Sequence, residues 1–137
     1  MNPLGASKPA TDRPPPILGI HHAQVTVPED ALPAARAFYC GVLGLVEIEK
    51  PIELATRAVF WVRCGDQNVH IGTDTGVDRS RSRAHLAYEV AYVDRWESYL
   101  AGQGIIIDHP IAFAGHKRLQ IRDPFGNMIE FIQRTGS

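Results

Sequence analysis

One order of strands and helix runs along this chain twice, and any fold it adopts must accommodate both copies. The first copy opens with "LGIHHAQVTV" (18–27), an alternating run that reads as a β-strand. "PEDALPAARAFYCGVLGL" (28–45) follows. Asp30 is a cap candidate, Pro33 suits a first turn, and Leu32, Ala35, Phe38 and Tyr39 recur at helical spacing. Gly41 and Gly44 end that helix. "LVEIEK", "RAVFWVRC" and "QNVHIGTD" read as three further strands, with Gly65-Asp66 as a tight turn between the last two.

After the polar loop "TGVDRSRSR" the same order starts again. "AHLAYEVAYV" is a strand. Asp94, with Glu97 three residues on, predicts a capping box, and Val93, Trp96, Tyr99 and Leu100 form an apolar stripe. "IIIDHP", "KRLQIRD" and "GNMIEFIQ" supply three more strands. The expectation is therefore an α+β fold of two tandem βαβββ modules, module 1 at about 17–73 and module 2 at about 83–134. Both lie in one domain, 17–137, behind a disordered leader at 1–16 that is rich in Pro, Ser, Thr and Gly.

Histidines mark the repeat. His22 matches His85 at a separation of 63 residues, and His70 matches Glu130 at 60. Side chains alternate across a strand. His22 therefore shares a face with Gln24 and Thr26, and His21 shares the apolar face of Ala23, Val25 and Val27. His22, His70, His85 and Glu130 all fall on the phase opposite to the apolar positions that would cover the helices. The reading puts four potential metal ligands on the concave, helix-free face of two curved sheets. Two neutral imidazoles and a carboxylate suit a divalent first-row cation with open positions: Fe2+, Mn2+, Ni2+, Co2+ or Zn2+.

Composition narrows the partners. Net charge is −1, without the basic excess that nucleic acid or an anionic membrane would demand. Apolar residues are 45% and charged residues 21%, ordinary for a globular chain, and no apolar run is long enough to span a bilayer. The N-terminus has no signal-peptide hydrophobic region. Cys40 and Cys64 are too few for a disulfide framework and suit a reducing cytoplasm.

"FYCGVLGL" at the end of the first helix and "DPFGNMIEF" in the last hairpin, with a His opening each copy, resemble the vicinal oxygen chelate superfamily. That family includes glyoxalase I, fosfomycin- and bleomycin-resistance proteins and extradiol dioxygenases. The resemblance runs from about Ile17 to Gln133. It implies that His22, His85 and Glu130 bind a metal, with His70 at the fourth position, where glyoxalase I proteins usually carry a carboxylate. It also implies a homodimer in which His22 and His70 come from one subunit and His85 and Glu130 from the other.

Three functions stay open. In a dioxygenase-like enzyme the metal binds oxygen and a catechol while His70 moves protons, although Gln120 stands where those enzymes usually have tyrosine. In a glyoxalase-like lyase or isomerase the metal polarises a carbonyl, and Glu130 or His70 acts as base. The third is metal-free drug sequestration of the bleomycin-resistance type. Gln24, Glu89, His116 and Arg122 are candidates for orienting ligands or touching substrate, and Arg118 and Arg122 for an anionic group on it.

Overall fold

The computed structural model describes residues 13–136. Most of the 1–16 leader lies outside them. Strand β1 (His22–Val27), helix α1 (Leu32–Arg36), a π-helical continuation (Ala37–Val42), and strands β2 (Val46–Ile48), β3 (Phe60–Cys64) and β4 (Gln67–Thr73) form the first group. Strand β5 (His85–Glu89), helix α2 (Val93–Gly102), and strands β6 (His116–Arg122) and β7 (Met128–Arg134) form the second.

The strands make two sheets, ordered β1-β4-β3-β2 and β5-β7-β6. In each sheet the first strand of a copy lies at one edge and pairs parallel with the last, and the strand before the last pairs antiparallel with that same last strand. The architecture is α+β, with the order βαβββ in the first half and βαββ in the second. The halves differ at one strand: "IIIDHP" contributes only an isolated bridge, Asp108 to Gln120, rather than the expected strand. Ile105 and Ile107 pack against the core while Ile106 between them is 84% exposed, so the segment alternates as a strand does but pairs with β6 only through Asp108.

Alternation then fixes the faces. Val27, Phe60, Val62, Val69 and Ile71 from one sheet and Tyr88, Leu119, Ile121, Ile129 and Phe131 from the other are buried against the helices. The opposite faces carry His22, His70 and Trp61, and His85, Gln120 and Glu130.

The helix ends depart from the caps read in the sequence. The N-cap of α1 is Ala31 rather than Asp30, and no side chain caps it. Asp94 lies inside the first turn of α2, not at its cap, and its carboxylate meets Lys117 at 2.7 Å. Gln133 replaces the capping box, since its side-chain oxygen accepts the Val93 N–H at 2.9 Å. The first helix widens because the Leu43 N–H reaches the Phe38 carbonyl five residues back, and the wider turn buries both Phe38 and Tyr39. Tyr99 leaves the apolar stripe: it is 42% exposed and its hydroxyl donates to the Val42 carbonyl.

The turn "DPFGN" ties the two halves together. Asp123 accepts the backbone N–H of Phe125 and Asn127, the Asn127 side-chain amide, and the Tyr39 hydroxyl at 2.6 Å. The Asn127 amide also donates to the Thr26 carbonyl on β1. Gly126 has φ +102°, and a Cβ there would lie 2.8 Å from the Ser80 nitrogen, so the turn presses directly on the connecting loop.

Candidate functional site

The helix-free faces carry their imidazole and carboxylate groups in two pairs. On the first sheet, β1 and β4 run parallel in a register that aligns Gln24 with His70, and the β3–β4 hairpin sets Trp61 opposite His70. The His70 ring lies between the other two rings of the set. Trp61 stacks on it at 4.0 Å between centroids and His22 at 4.2 Å. Burial, then the neighbouring His22 and His21, hold His70 below the usual imidazole range, which keeps it neutral at neutral pH. The same concavity is lined by His21, Gln24, Leu54, Arg57 and Asn68.

His21 contradicts its sequence reading. β1 begins at His22, not at Leu18, so alternation does not extend to His21. The ring is exposed and its Nδ1 lies 3.0 Å from that of His22. Gln24 lies across Gly72, where a Cβ would meet the Gln24 amide nitrogen at 2.7 Å.

On the second sheet, β5 places His85 and β7 places Glu130, with His85 Nε2 3.4 Å from Glu130 Oε1. His85 Nδ1 lies 2.9 Å from the Arg83 carbonyl, which can only accept, so that nitrogen carries a proton and the ring is turned with Nε2 toward Glu130. Glu130 is 3% exposed. Its Oε1 also accepts Gln120 Nε2 at 2.9 Å and Arg118 Nη1 at 3.1 Å. Gln120, Arg118 and Trp61 complete the two faces. The sequence held a signal for Trp61: counting back from the Gly65-Asp66 turn sets it opposite His70.

The other candidates have partners elsewhere. The Glu89 carboxylate pairs with Arg134 at 2.8 Å. Arg122 Nη1 donates to the carbonyls of Arg79, Ser82 and Gly126, tying the connecting loop to the last turn. His116 Nδ1 lies 2.9 Å from the Ala114 carbonyl and its ring packs on Phe113.

Among the described residues, no three His, Cys, Asp or Glu side chains of the chain gather as a metal-holding group. Imidazole nitrogens and a carboxylate are nevertheless the donor types a divalent first-row cation takes, and the carbonyl-fixed His85 is oriented as such a ligand would be. Chemically the donors fit; spatially one chain holds them as two half-sets.

Two α+β halves thus carry His, Glu and aromatic side chains on the sheet faces turned away from the helices. Residues 19–131 match the model of the Glyoxalase/Bleomycin resistance protein/Dioxygenase superfamily, and the chain belongs to that family. No sequence among curated proteins matches it. Among solved structures, a glyoxalase family protein from Bacillus anthracis is 38% identical, covering 89% of this chain and 99% of its own, with a TM-score of 0.80. A lactoylglutathione lyase from Agrobacterium tumefaciens is 25% identical over 86% of this chain and 95% of its own, with a TM-score of 0.65. A fosfomycin resistance protein from Listeria monocytogenes, complexed with Mn(II) and sulfate, shares the fold at 16% identity and a TM-score of 0.67, covering 88% and 92%. Among the described residues no helix is long and apolar enough to cross a membrane.

Proposed function

We propose that this protein is a metal-dependent enzyme of the lyase or isomerase type, active on a small molecule with two adjacent oxygens, and that it works as a cytoplasmic homodimer. The observation that carries this reading is the division of the donors into two contacting pairs, His22 with His70 and His85 with Glu130, one on each sheet. A dimer that set the first sheet of one chain against the second sheet of another would join a pair from each, twice. Ile17, Leu18 and Ile20, beside the start of β1, are 92%, 96% and 75% exposed and offer apolar surface to such a partner.

In the joined site His22, His85 and Glu130 would hold the cation, one of Fe2+, Mn2+, Ni2+, Co2+ or Zn2+. When bound, it supplies positive charge against the two substrate oxygens. The remaining roles fall to the chain itself. His70, neutral and partly desolvated, accepts a proton at its ring nitrogen. Trp61 covers one face of that ring and excludes water from it. Gln120 and the Arg83 carbonyl fix Glu130 and His85. Gln120 offers an amide and no phenol, which favours proton transfer over ring cleavage. The Agrobacterium relative is itself named a lyase.

Metal analysis of the purified chain together with sedimentation tests the reading. A dimer retaining about one divalent ion per chain is expected. A protein that takes up none of the five cations overturns it, and leaves the stacked rings of Trp61, His70 and His22 as the floor of a drug-sequestering cleft.

A further inference from the structure

Arg118 stands beside Glu130 on the open face of the second sheet, held independently of it. Its Nε and Nη2 both donate to the Ile111 carbonyl, at 3.0 and 2.6 Å, and the guanidinium lies 5.1 Å from the centroid of the Phe113 ring. Two of its three nitrogens are thus anchored on a neutral acceptor, with an aromatic face against the cation. The third, Nη1, reaches Glu130 Oε1 at 3.1 Å. Among the described residues, Glu130 is the only carboxylate within ion-pair distance of Arg118. The pair is poorly hydrated, with side-chain exposures of 21% for Arg118 and 5% for Glu130.

This arrangement sets up a competition. Oε1 already accepts Arg118 and Gln120 and faces His85 Nε2. A divalent cation at Glu130 would claim the negative charge that now balances Arg118. The guanidinium would keep its place, because Ile111 and Phe113 hold it, and Nη1 would face the cleft with its charge unmatched. A half-buried charge left unpaired is costly, so a ligand that restores one negative charge there is favoured.

We propose that Arg118 is the specificity residue of the site, and that the substrate is a small 2-hydroxy- or 2-oxocarboxylate whose carboxylate takes the Nη1 donor. One donor nitrogen and one unmatched charge suit a monoanion. Neutral diols and carbonyl compounds would leave the guanidinium unpaired. This rests on the metal-dependent reading above and names the substrate class for the same site. It also makes cation and carboxylate mutually reinforcing, since each favours the arrangement the other needs.

The test is a calorimetric titration of Mn2+ into the full-length purified protein, alone, with glycolate, and with hydroxyacetone. Both organic probes present two adjacent oxygens, but only glycolate is anionic. In the wild type glycolate is expected to tighten Mn2+ binding far more than hydroxyacetone does. Arg118→Gln should shrink that advantage by about tenfold, the scale of one charge-assisted hydrogen bond. Arg118→Lys keeps the charge but loses the two-point hold on Ile111, and should shrink it by about threefold; it decides the matter if the Gln variant does not fold. A glycolate advantage unchanged in the folded variants, with Mn2+ still bound, overturns this inference alone. A wild-type chain that binds no Mn2+ overturns the metal-dependent reading and this inference together.

Discussion

At the scale of single residues, the contact between Tyr39 and Asp123 joins the two halves of the molecule. The phenol is buried, and burial followed by the Asp123 charge pushes its pKa well above the usual tyrosine range, so it remains a donor at any working pH. Asp123 is 4% exposed and depends on such donors. Tyr39→Phe should therefore lower stability by about 1–3 kcal/mol in chemical denaturation, the usual cost of depriving a buried charged acceptor of a partner. A loss below about 0.5 kcal/mol would mean that Asn127 and the turn amides satisfy Asp123 without the phenol. Strand phase made His22, His70, His85 and Glu130 legible as members of open faces, because alternation is a local rule. The Tyr39–Asp123 contact was not legible, since its partners lie 84 residues apart and no local pattern relates them.

Elements were legible where a pattern persisted over several residues and illegible where tertiary contacts decided the matter. The duplicated order, the β3–β4 hairpin and the final hairpin all follow from alternation and turn chemistry. The helix caps did not: a glutamine from β7, 40 residues beyond Val93, takes the place of the local capping box. "DPFGN" was readable as a reversal, but its second task was hidden. Only the assembled fold shows Gly126 packed on the backbone of Ser80. Gly126→Ala meets both a positive φ and a 2.8 Å approach to main chain. It should cost about 1–3 kcal/mol or more, read as a lowered thermal midpoint. An unchanged midpoint would show that the connecting loop yields without loss.

For the whole molecule, the proposed metal site requires two half-sets of donors to be joined. A chain in which His22 and His70 are both replaced by alanine lacks one half-set, and a chain carrying His85→Ala and Glu130→Gln lacks the other. Each alone should bind little metal. Unfolded together and refolded as mixed dimers, they should regain one complete site per mixed dimer, measurable as metal bound per protein. No recovery on mixing would place the site within single chains and exclude the exchanged arrangement. The sequence revealed which residues share a face but not the distance between the faces, because strand periodicity carries no information about how one sheet is set against another. The flat stack of Trp61 on His70, 4.0 Å apart and tilted by only 4°, bears on how such a cleft can be watched. An indole in ring contact with an imidazole alters its emission when that imidazole gains a proton or a ligand, so Trp61 emission should report any such change at His70 without a label.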